Sequence, residues 1–509
     1  MKKSQKSFID EIRNQFDDDS QIIETSFHID GEELVLFYID SLIDKKLFAD
    51  SILAPIEKLS KKSAKTAEKT QNNAEKSKNN VFDEVKTEII SVSATEELQD
   101  VPTALKKLLA GNVLVATANQ MLSCPAYGLQ ARSVQEPPTS RVVKGPREGF
   151  VEDLPRNIGL IRKRLKTSDL KIKDMFVGER TNTQISIVYL DGIAKKEVVD
   201  EVQERISKIN IDGIIDSYYI ESFLEGDKFK FFRRVGNSEK PDVICSKLLE
   251  GRVAIVVDGS PVVLTVPFML FENLQSPEDY YTIPAWTTFV RMMRIVGLVF
   301  AILIPGVYVA LQSFNYRILP INFLITLLSS IEGLSVPPLV ELLVVLFLFE
   351  IITEASLQMP NSLGMALSII GALALGNTAV DAGIISPPSI VIVAISSVAL
   401  YIIPDQIAET RLLRVLFTLI GGIIGLYGVV VSFIILTTYL TFLKSFGVPY
   451  LAPIAPNVKS DKKDAFIKKP IQEMHKRPEL IAGKNKTRQA KNDLFSDDDT
   501  AQKNQSEEA

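Results

Sequence analysis

The feature that most constrains this chain is a nearly continuous apolar stretch from residue 286 to residue 443. The residues on either side of it, 1–285 and 444–509, are mixed and rich in charge. A helix needs about 20 mainly apolar residues to cross about 30 Å of hydrocarbon. The stretch is long enough for several such helices. It therefore predicts a polytopic α-helical membrane domain that follows a large soluble N-terminal region.

The N-terminus predicts the side of the membrane on which the soluble region lies. The opening MKKSQKSFIDEIRNQFDDDS has neither the apolar core nor the cleavage site of a signal peptide. Translocation is then expected to begin only at the apolar stretch, which leaves the N-terminal region in the cytoplasm. Arg291 and Arg294, beside the first span, favour the same orientation. Two cysteines, Cys124 and Cys245, are too few for a disulfide framework and suit a reducing compartment.

The soluble region contains an internal repeat. LVLFYIDSLIDKKLFADSILAPIEKL (34–59) aligns with ISIVYLDGIAKKEVVDEVQERISKI (185–209), and in both an apolar run ends in Tyr-aliphatic-Asp, at Asp40 and Asp191. A Lys-Lys pair and an amphipathic helical pattern follow in each copy. Asp at these strand ends is a common turn residue.

A second pair of matching blocks follows in the same order. KKLLAGNVLVAT (106–117) matches SKLLEGRVAIVV (246–257), with Gly111 opposite Gly251. Strands followed by helices predict two related α/β subdomains. The tract 61–80, rich in Lys, Asn, Ala and Ser, predicts a flexible insertion in the first copy.

The predicted organisation is an N-terminal segment (1–24), two α/β subdomains (25–140 and 141–285), a transmembrane helical domain (286–443) and a cytoplasmic, largely disordered tail (444–509). The predicted spans are 295–313, 337–357, 363–380, 386–403 and 415–442. Residues 321–331 are too short to cross and predict a re-entrant or interfacial piece. The last span is long enough for one tilted helix or two short passes, so the side of the C-terminus stays open.

Three carboxylates interrupt the span PPLVELLVVLFLFEIITEASLQMP (337–360): Glu341, Glu350 and Glu354. A charged side chain at the centre of a membrane helix costs about 2.5–3.5 kcal/mol on insertion scales, and Glu350 lies nearest the centre. Either these groups line or gate an ion path, or they are buried carboxylates that fix helix packing. Glu341 and Glu354 lie nearer the headgroups, and for them packing is the favoured interpretation.

Small residues recur in the later spans and predict close helix packing. They are Gly364, Ser368, Ala372 and Gly376, with Gly421 and Gly425 in the last span.

Polar residues then break the apolar pattern. Asn377 and Asp381 add to the predicted ion path or gate, and Pro387 and Pro388 predict a helix break, whose free backbone groups must face protein or water. The nearby arginines predict ion pairs, Arg411 and Arg414 with Asp405 or Glu409.

Several function classes are disfavoured. The net charge of −5 argues against a nucleic-acid partner. The two histidines, His28 and His475, lie far apart, which disfavours a His-rich metal site or a His-based triad. The sequence shows neither a phosphate loop nor a dinucleotide fingerprint. We therefore expect neither enzymatic activity nor a cofactor.

Several long blocks resemble the A-subunit family of GerA-type spore germinant receptors. They include REGFVEDLPRNIGLIRKRLK (147–166), LLEGRVAIVVDGSP (248–261), FEIITEASLQMP (349–360), IIGALALGNTAVDAGIISP (369–387) and FGVPYLAPIAP (446–456). The resemblance covers about residues 147–456. The chain departs from the family pattern at Gln358, where the family usually carries Arg, so that Glu350 or Glu354 would lack a usual partner.

The resemblance implies an integral protein of the spore inner membrane. It would act with a transporter-like B subunit and a lipoprotein C subunit, form homo-oligomers, contact membrane lipids, and convert nutrient binding by a partner into germination. Three alternatives remain open. The chain could be a secondary transporter, a structural scaffold for partner subunits, or a paralogue that works with the dipicolinic-acid channel.

Overall fold

The computed structural model describes residues 8–16, 19–29, 32–69, 82, 85–86, 95–128, 144–226, 231–332, 334, 336–358, 369, 371, 378–458 and 460–489. The chain divides into two compact units. The N-terminal unit comprises Met1–Phe268, Ser445–Val448 and Gln472–Ala509, and the helical unit comprises Met269–Lys444 and Pro449–Ile471.

The first subdomain of the N-terminal unit is a five-stranded antiparallel sheet with helices. Its elements, in chain order, are α1 (Phe8–Gln15), β1 (Ile22–Ile29), β2 (Glu32–Ile39), α2 (Lys45–Phe48), a π-helical turn (Ala49–Leu53), α3 (Ala54–Lys69), β3 (Glu96–Leu98), α4 (Val101–Leu109), β4 (Asn112–Ala116) and β5 (Met121–Pro125). The strand order is β1-β2-β4-β5-β3.

The second subdomain repeats this plan. Its elements are α5 (Leu154–Arg164), β6 (Leu170–Val177), β7 (Thr183–Leu190), α6 (Lys196–Ser207), α7 (Ser217–Glu225), β8 (Gly236–Ser238), α8 (Pro241–Glu250), β9 (Val253–Val257) and β10 (Val263–Val266). The strand order β6-β7-β9-β10-β8 reproduces that of the first sheet. The prediction of two related α/β subdomains is therefore confirmed, and both sheets are antiparallel.

Each sheet is covered on both faces. In β2, Leu34 and Leu36 belong to one core, while Val35 and Phe37 belong to another. Neighbouring side chains of a strand alternate between its faces, so a run of four apolar residues serves two cores. This is why the strands read as continuous apolar runs rather than as an alternating pattern.

Two stretches outside the predicted first core belong to the first subdomain. Ile9 and Ile12 of α1 are buried in one of its cores, so the segment before residue 25 is part of the subdomain rather than a separate extension. The tract predicted as a flexible insertion from residue 61 continues α3 as far as Lys69, because Lys, Ala and Glu are good helix formers. Residues 70–80 lie outside the described residues.

The two subdomains are joined by a buried ion pair and hydrogen bonds. Arg162 Nη2 lies 2.5 Å from Asp19 Oδ2, and both side chains are at most 1% exposed. Beside this pair, Ser20 Oγ and Gln21 Nε2 each donate to Asp174 Oδ2 at 2.9 Å. The loop between α1 and β1 therefore anchors the first subdomain to the second.

The helical unit contains the apolar stretch. Its helices are α9 (Pro284–Ser313), α10 (Ile321–Ile331), α11 (Pro338–Gln358), α12 (Ala379–Asp381), α13 (Pro387–Leu400), α14 (Ile407–Ile424) and α15 (Leu426–Phe442). They are followed by β11 (Lys444–Ser445), β12 (Val448–Pro449) and α16 (Lys462–Ala465). Short 3-10 turns lie at Leu270–Leu274, Pro277–Tyr280, Tyr316–Ile318, Pro404–Gln406 and Ile471–Glu473.

The helix lengths give fewer clear spans than the five predicted. Among the described residues, α9 is long and apolar enough to cross a membrane, and the pair Pro387–Leu400 with Pro404–Ile424, bent by 111°, adds a second if it is counted as one span. The helix α11 has 21 residues, but three carboxylates reduce its apolar character. The predicted last span is divided at Gly425, whose φ of +80° ends α14. The predicted span 363–380 lies mostly outside the described residues.

The helices α9 and α14 cross at two glycines. A Cβ added at Gly421 would lie 2.2 Å from Gly306 O, and one added at Gly306 would lie 2.5 Å from Phe417 O. Backbone therefore meets backbone at this crossing. Gly425, the second glycine of the predicted pattern in this region, lies at the helix break instead.

The tail predicted as largely disordered makes specific contacts up to residue 489. Ile481 and Ala482 are each 1% exposed, and Arg477 N donates to Lys486 O at 2.9 Å. These two apolar residues are buried, although the average composition of the tail is polar and predicts disorder. Residues 490–509 lie outside the described residues.

Candidate functional site

The helix α11 presents its three carboxylates to three different surroundings. Glu341 is 1% exposed, the Glu350 side chain is 40% exposed, and Glu354 is exposed. Nine residues separate Glu341 from Glu350, which places them on opposite sides of the helix and roughly 13 Å apart along its axis. They therefore belong to separate polar clusters.

The Glu341 cluster consists of Glu341, Ser386, Ser389 and Tyr308. Ser386 donates to Glu341 Oε1 twice, from its backbone N–H at 2.7 Å and from Oγ at 2.6 Å. Ser386 Oγ lies 3.0 Å from Ser389 Oγ, which lies 3.4 Å from the Tyr308 hydroxyl. Three helices, α9, α11 and α13, are thus connected through polar side chains in an otherwise apolar core.

The position of Ser386 explains why a carboxylate is buried there. Ser386 is the N-cap residue of α13, and the first amides of a helix have no partner within it and attract negative charge. Glu341 satisfies one of these amides directly. Its second oxygen, Oε2, has no hydrogen-bond partner among the residues that the structure describes.

The Glu350 cluster consists of Glu350, Arg411, Arg414, Ser396 and Ser397. Arg411 Nη1 lies 2.7 Å from Glu350 Oε1, and Arg414 Nη2 lies 3.5 Å from Glu350 Oε2. Each carboxylate oxygen thus faces a different guanidinium, which fixes the orientation of the side chain. Arg414 also donates to Ser397 Oγ at 3.0 Å and to Ser396 Oγ at 3.4 Å.

The Glu350 cluster is only partly covered within one chain. Arg414 is 2% exposed and Arg411 is 20% exposed, whereas Glu350 keeps 40% of its side chain accessible. The cluster is therefore buried at its arginine end and open at its carboxylate end. The local sequence predicts Asp405 or Glu409 as partners of these arginines, and the structure adds Glu350, a carboxylate on a different helix that both arginines reach.

Glu354 has a local partner. Gln358 Nε2 donates to Glu354 Oε1 at 2.7 Å, one helical turn away, and both side chains are exposed. Gln358 occupies the position at which the family resemblance leads us to expect Arg. Neither Glu350 nor Glu354 is left without a partner by this change, because Arg411 reaches the first and Gln358 the second.

The remaining predicted site residues lie outside these clusters. Asp381 ends the short α12 and is exposed. Pro387 and Pro388 occupy the first positions of α13, directly after the turn that separates α12 from α13, so they begin a helix after the break. The other predicted residues lie outside the described residues, namely Gly364, Ser368, Ala372, Gly376 and Asn377.

Three partners of Glu341 were not predicted from the sequence: Tyr308, Ser386 and Ser389. The signal for Ser386 was available, because Ser directly before Pro-Pro is typical of an N-cap followed by proline at the first helical position. Tyr308 carries no such local signal. Only the packing of α9 against α13 brings it to the cluster.

A third charged network lies at the start of α9. Asp279 Oδ2 lies 3.0 Å from Arg291 Nε and 2.8 Å from Arg294 Nη1, and Arg291 Nη1 lies 3.1 Å from Asp464 Oδ1. Arg291 is fully buried. The two arginines that served as an orientation signal in the sequence are therefore members of a buried ion-pair network.

The clusters offer carboxylate, guanidinium and hydroxyl groups. Within the described ranges, no group of three or more His, Cys, Asp or Glu side chains is placed to hold a metal ion. What the Glu350 and Glu341 clusters provide is fixed charge and hydrogen bonding among apolar helices.

Residues 10–480 match the family described as "Bacillus/Clostridium GerA spore germination protein". The chain is 34% identical over 466 residues to spore germination protein KA of Bacillus subtilis (strain 168), covering 91% of this chain and 83% of that protein. It is 31% identical over 465 residues to spore germination protein B1 of the same organism, covering 91% and 93%. It is 35% identical over 413 residues to the uncharacterized membrane protein YfkQ of that organism, covering 80% of each chain.

A solved structure also matches. The crystal structure of the N-terminal domain of the A subunit of the Bacillus megaterium spore germinant receptor GerK3 covers 52% of this chain and 97% of its own, at 25% identity and a TM-score of 0.37.

Proposed function

The chain belongs to the GerA family of spore germination proteins, and from that premise we propose that it is the A subunit of a nutrient germinant receptor. Relatives across most of its length carry the name spore germination protein. The proposed setting is the spore inner membrane, with the N-terminal unit in the cytoplasm. The proposed partners are a transporter-like B subunit that binds the nutrient and a lipoprotein C subunit.

The proposed mechanism is an ion path formed or gated by several copies of the helical unit. The observation that carries it is the exposure of Glu350, which keeps 40% of its side chain accessible in a single chain. Its neighbours in α11 are Phe349 and Ile351. A charge facing acyl chains near the centre of a helix is costly, so this face requires water or another subunit. Copies arranged around a shared path satisfy that requirement.

In this mechanism, Arg411 and Arg414 hold Glu350 in a fixed orientation toward the path. A ring of carboxylates at a constriction raises the local cation concentration and favours cations over anions. Nutrient binding by the partner subunit would change the spacing of the copies and so open the constriction. This chain contributes the charge and its support rather than the nutrient site.

The test is ion efflux from spores that carry Glu350→Gln. This variant keeps the shape of the side chain and removes its charge, and we expect the rate of nutrient-triggered cation efflux to fall by roughly tenfold. Asp405→Asn is the control, because it also removes one carboxylate charge, from an exposed turn outside α11. Unchanged efflux in a normally assembled Glu350→Gln receptor would refute the ion-path mechanism.

A charge swap separates conduction from simple pairing. The triple variant Glu350→Arg with Arg411→Glu and Arg414→Glu keeps opposite charges at both contacts but reverses the sign of the group facing the path. If the pair only fixes packing, this variant restores both assembly and efflux. If Glu350 acts through its charge, the receptor assembles but efflux stays low.

A structural scaffold for partner subunits is the second candidate, and the Glu341 cluster favours it. Glu341 is almost completely buried and hydrogen-bonded to a helix N-cap, which is what a packing role requires. Under this function, fluorescent partner subunits disperse when the protein is absent. They stay clustered, and germination stays normal, in Glu350→Gln.

A further inference from the structure

The C-terminal segment 475–488 lies on the second subdomain of the N-terminal unit. Gly483 N donates to Ile193 O at 2.7 Å, and Asn485 N donates to Gly192 O at 3.2 Å. These are backbone hydrogen bonds to the turn that follows β7. The segment thus pairs with this turn through two backbone hydrogen bonds.

The segment has its own internal structure. Lys476 and Thr487 form an antiparallel bridge, and Arg488 N donates to His475 O at 2.8 Å. The Arg477 side chain reaches Asn485 Oδ1 at 3.0 Å within the segment and Leu249 O of the second subdomain at 2.7 Å. A hairpin held in this way presents residues 480–485 as a preformed loop.

The contact is close and apolar at its centre. Ile481 and Ala482 are each 1% exposed. A Cβ added at Gly251 would lie 3.1 Å from Ala482 Cα and 2.9 Å from Ile193 O, at a φ of +102°. Gly251 therefore allows the turn after β7 and the C-terminal segment to meet over the end of α8.

In the first subdomain, the equivalent edge is covered by residues 126–128. There, Gly128 N donates to Leu42 O at 3.1 Å, and Ile43 forms an antiparallel bridge with Tyr127. A Cβ added at Gly111, the counterpart of Gly251, would lie 2.5 Å from Tyr127 Cδ2. Residues 126–128, which directly follow β5, thus close the first copy of the repeat.

In the second copy the chain cannot close the repeat in the same way. The residues after β10, the counterpart of β5, lead out of the N-terminal unit after Phe268. The equivalent edge would be left open. It is filled instead by residues 481–483, from the far end of the sequence.

One side chain has changed role between the copies. In the first copy, Asp44 caps α2 by accepting from the backbone N–H of Lys46 at 2.9 Å and of Leu47 at 3.0 Å. The equivalent position in the second copy is Lys195, which makes no side-chain cap. Its Nζ donates to Leu480 O in the C-terminal segment. A helix-capping acid is thus replaced by a base that binds the segment.

We propose that the edge of the second subdomain formed by residues 192–195 and Gly251 is a peptide-docking surface whose occupant is residues 480–485 of the same chain. The docked segment completes the second copy of the repeat. The chain leaves the N-terminal unit after Phe268, returns for Ser445–Val448 and returns again from Gln472. Docking therefore adds a second attachment of the returning chain to the second subdomain, after the one at Phe446.

The test is cysteine labelling of the full chain in detergent. The native thiols give little background, because burial raises the pKa of both Cys124 and Cys245 to about 12, and thiolate is the reactive form. We expect Ile481→Cys to react with maleimide roughly tenfold more slowly than Lys484→Cys, whose side chain is exposed. Equal rates would overturn the proposal.

Matched variants test the surface itself. In the Ile481→Cys background, Lys195→Met should raise the labelling rate, because the bond to Leu480 O is lost. Lys196→Met, an exposed neighbour, should leave the rate unchanged. Hydrogen exchange of the unsubstituted chain provides a test that needs no variant. The amides of Gly483 and Asn485 should exchange slowly, and exchange at the rate of an unstructured peptide would overturn the proposal.

Discussion

At the Glu341 cluster, one carboxylate accepts from the Ser386 amide at the start of α13, where the next two residues, Pro387 and Pro388, have no backbone N–H. Ser386 supplies two donors to the same oxygen, at 2.7 and 2.6 Å. A buried donor without a partner costs about 1–3 kcal/mol, so the carboxylate and the serine depend on each other. Glu341 is therefore explained as the hydrogen-bond acceptor of the buried Ser386.

Glu341→Ala is expected to destabilise the helical unit by about 1–3 kcal/mol, because it leaves the buried Ser386 amide without an acceptor, while the Ser386 hydroxyl keeps Ser389 as its partner. Glu341→Gln keeps an acceptor oxygen and should cost less. Thermal unfolding of the purified chain in detergent measures both. Glu354→Ala is the control, since the exposed Glu354 should change the midpoint little. A midpoint for Glu341→Ala equal to that of Glu354→Ala would contradict this account.

The sequence identified the three carboxylates but not what they contact. Glu350 can be identified from the sequence of one helix, because the free energy of inserting a charge into a membrane depends on its position within the apolar run. Its partners, Arg411 and Arg414, come from α14. Pairing between helices distant in sequence depends on how those helices cross, and the local pattern indicates only the nearby Asp405 or Glu409.

At the scale of elements, the crossing of α9 and α14 is set by two glycines that face each other. The sequence pattern identified Gly421 through its spacing from Gly425, but the structure pairs Gly421 with Gly306. Gly306 lies next to Pro305 and four residues before Ala310, a small-residue spacing in the first span that the sequence pattern considered above did not include. A spacing rule finds one side of a contact, whereas the opposite side is known only once the helices are packed.

Gly421→Ala is expected to destabilise the crossing by about 1–3 kcal/mol, as overpacking does in a close-packed core. The added methyl group would lie 2.2 Å from Gly306 O, which is backbone and cannot move aside alone. Gly422→Ala is the neighbouring control. Its methyl group would meet Leu339 Cδ1, the end of a flexible side chain, so the helices can keep their distance.

Thermal unfolding in detergent, with cross-linking between cysteines placed on α9 and α14, measures this effect. The expected order of stability is the unsubstituted chain, then Gly422→Ala, then Gly421→Ala. If Gly422→Ala proves the more harmful of the two, the helices do not cross at Gly306 and Gly421.

At the scale of the whole molecule, the repeat was the most predictable feature. Two matched blocks in the same order identified two subdomains, because strand patterns and the positive-φ glycines Gly111 and Gly251 recur together. The repeat does not predict which segments outside the two copies pack against them and complete the subdomains. The segment before residue 25 joins the first subdomain, and the C-terminal segment joins the second. Each contains only a few apolar residues among polar ones, so its average hydropathy is low and predicts a linker rather than part of a core.

The junction of the two subdomains gives the last prediction. Asp19 and Arg162 are at most 1% exposed, and Arg162 Nε and Nη1 have no hydrogen-bond partner among the described residues. Asp19→Ala would leave a buried guanidinium without its counter-ion, which typically costs about 3–5 kcal/mol. Glu24→Ala breaks the pair with Arg13, whose side chains are 41% and 32% exposed, and should cost less than about 1 kcal/mol.

Pulse proteolysis of the purified full chain in increasing urea distinguishes these outcomes, because it reports the fraction of the N-terminal unit that is open. Asp19→Ala should lower the urea midpoint clearly, while Glu24→Ala should stay close to the unsubstituted chain. If the two variants lower the midpoint equally, the Asp19–Arg162 pair does not fasten the subdomains. Since the ion pair is buried, the effect of Asp19→Ala should also persist in high salt, whereas any effect of Glu24→Ala should disappear.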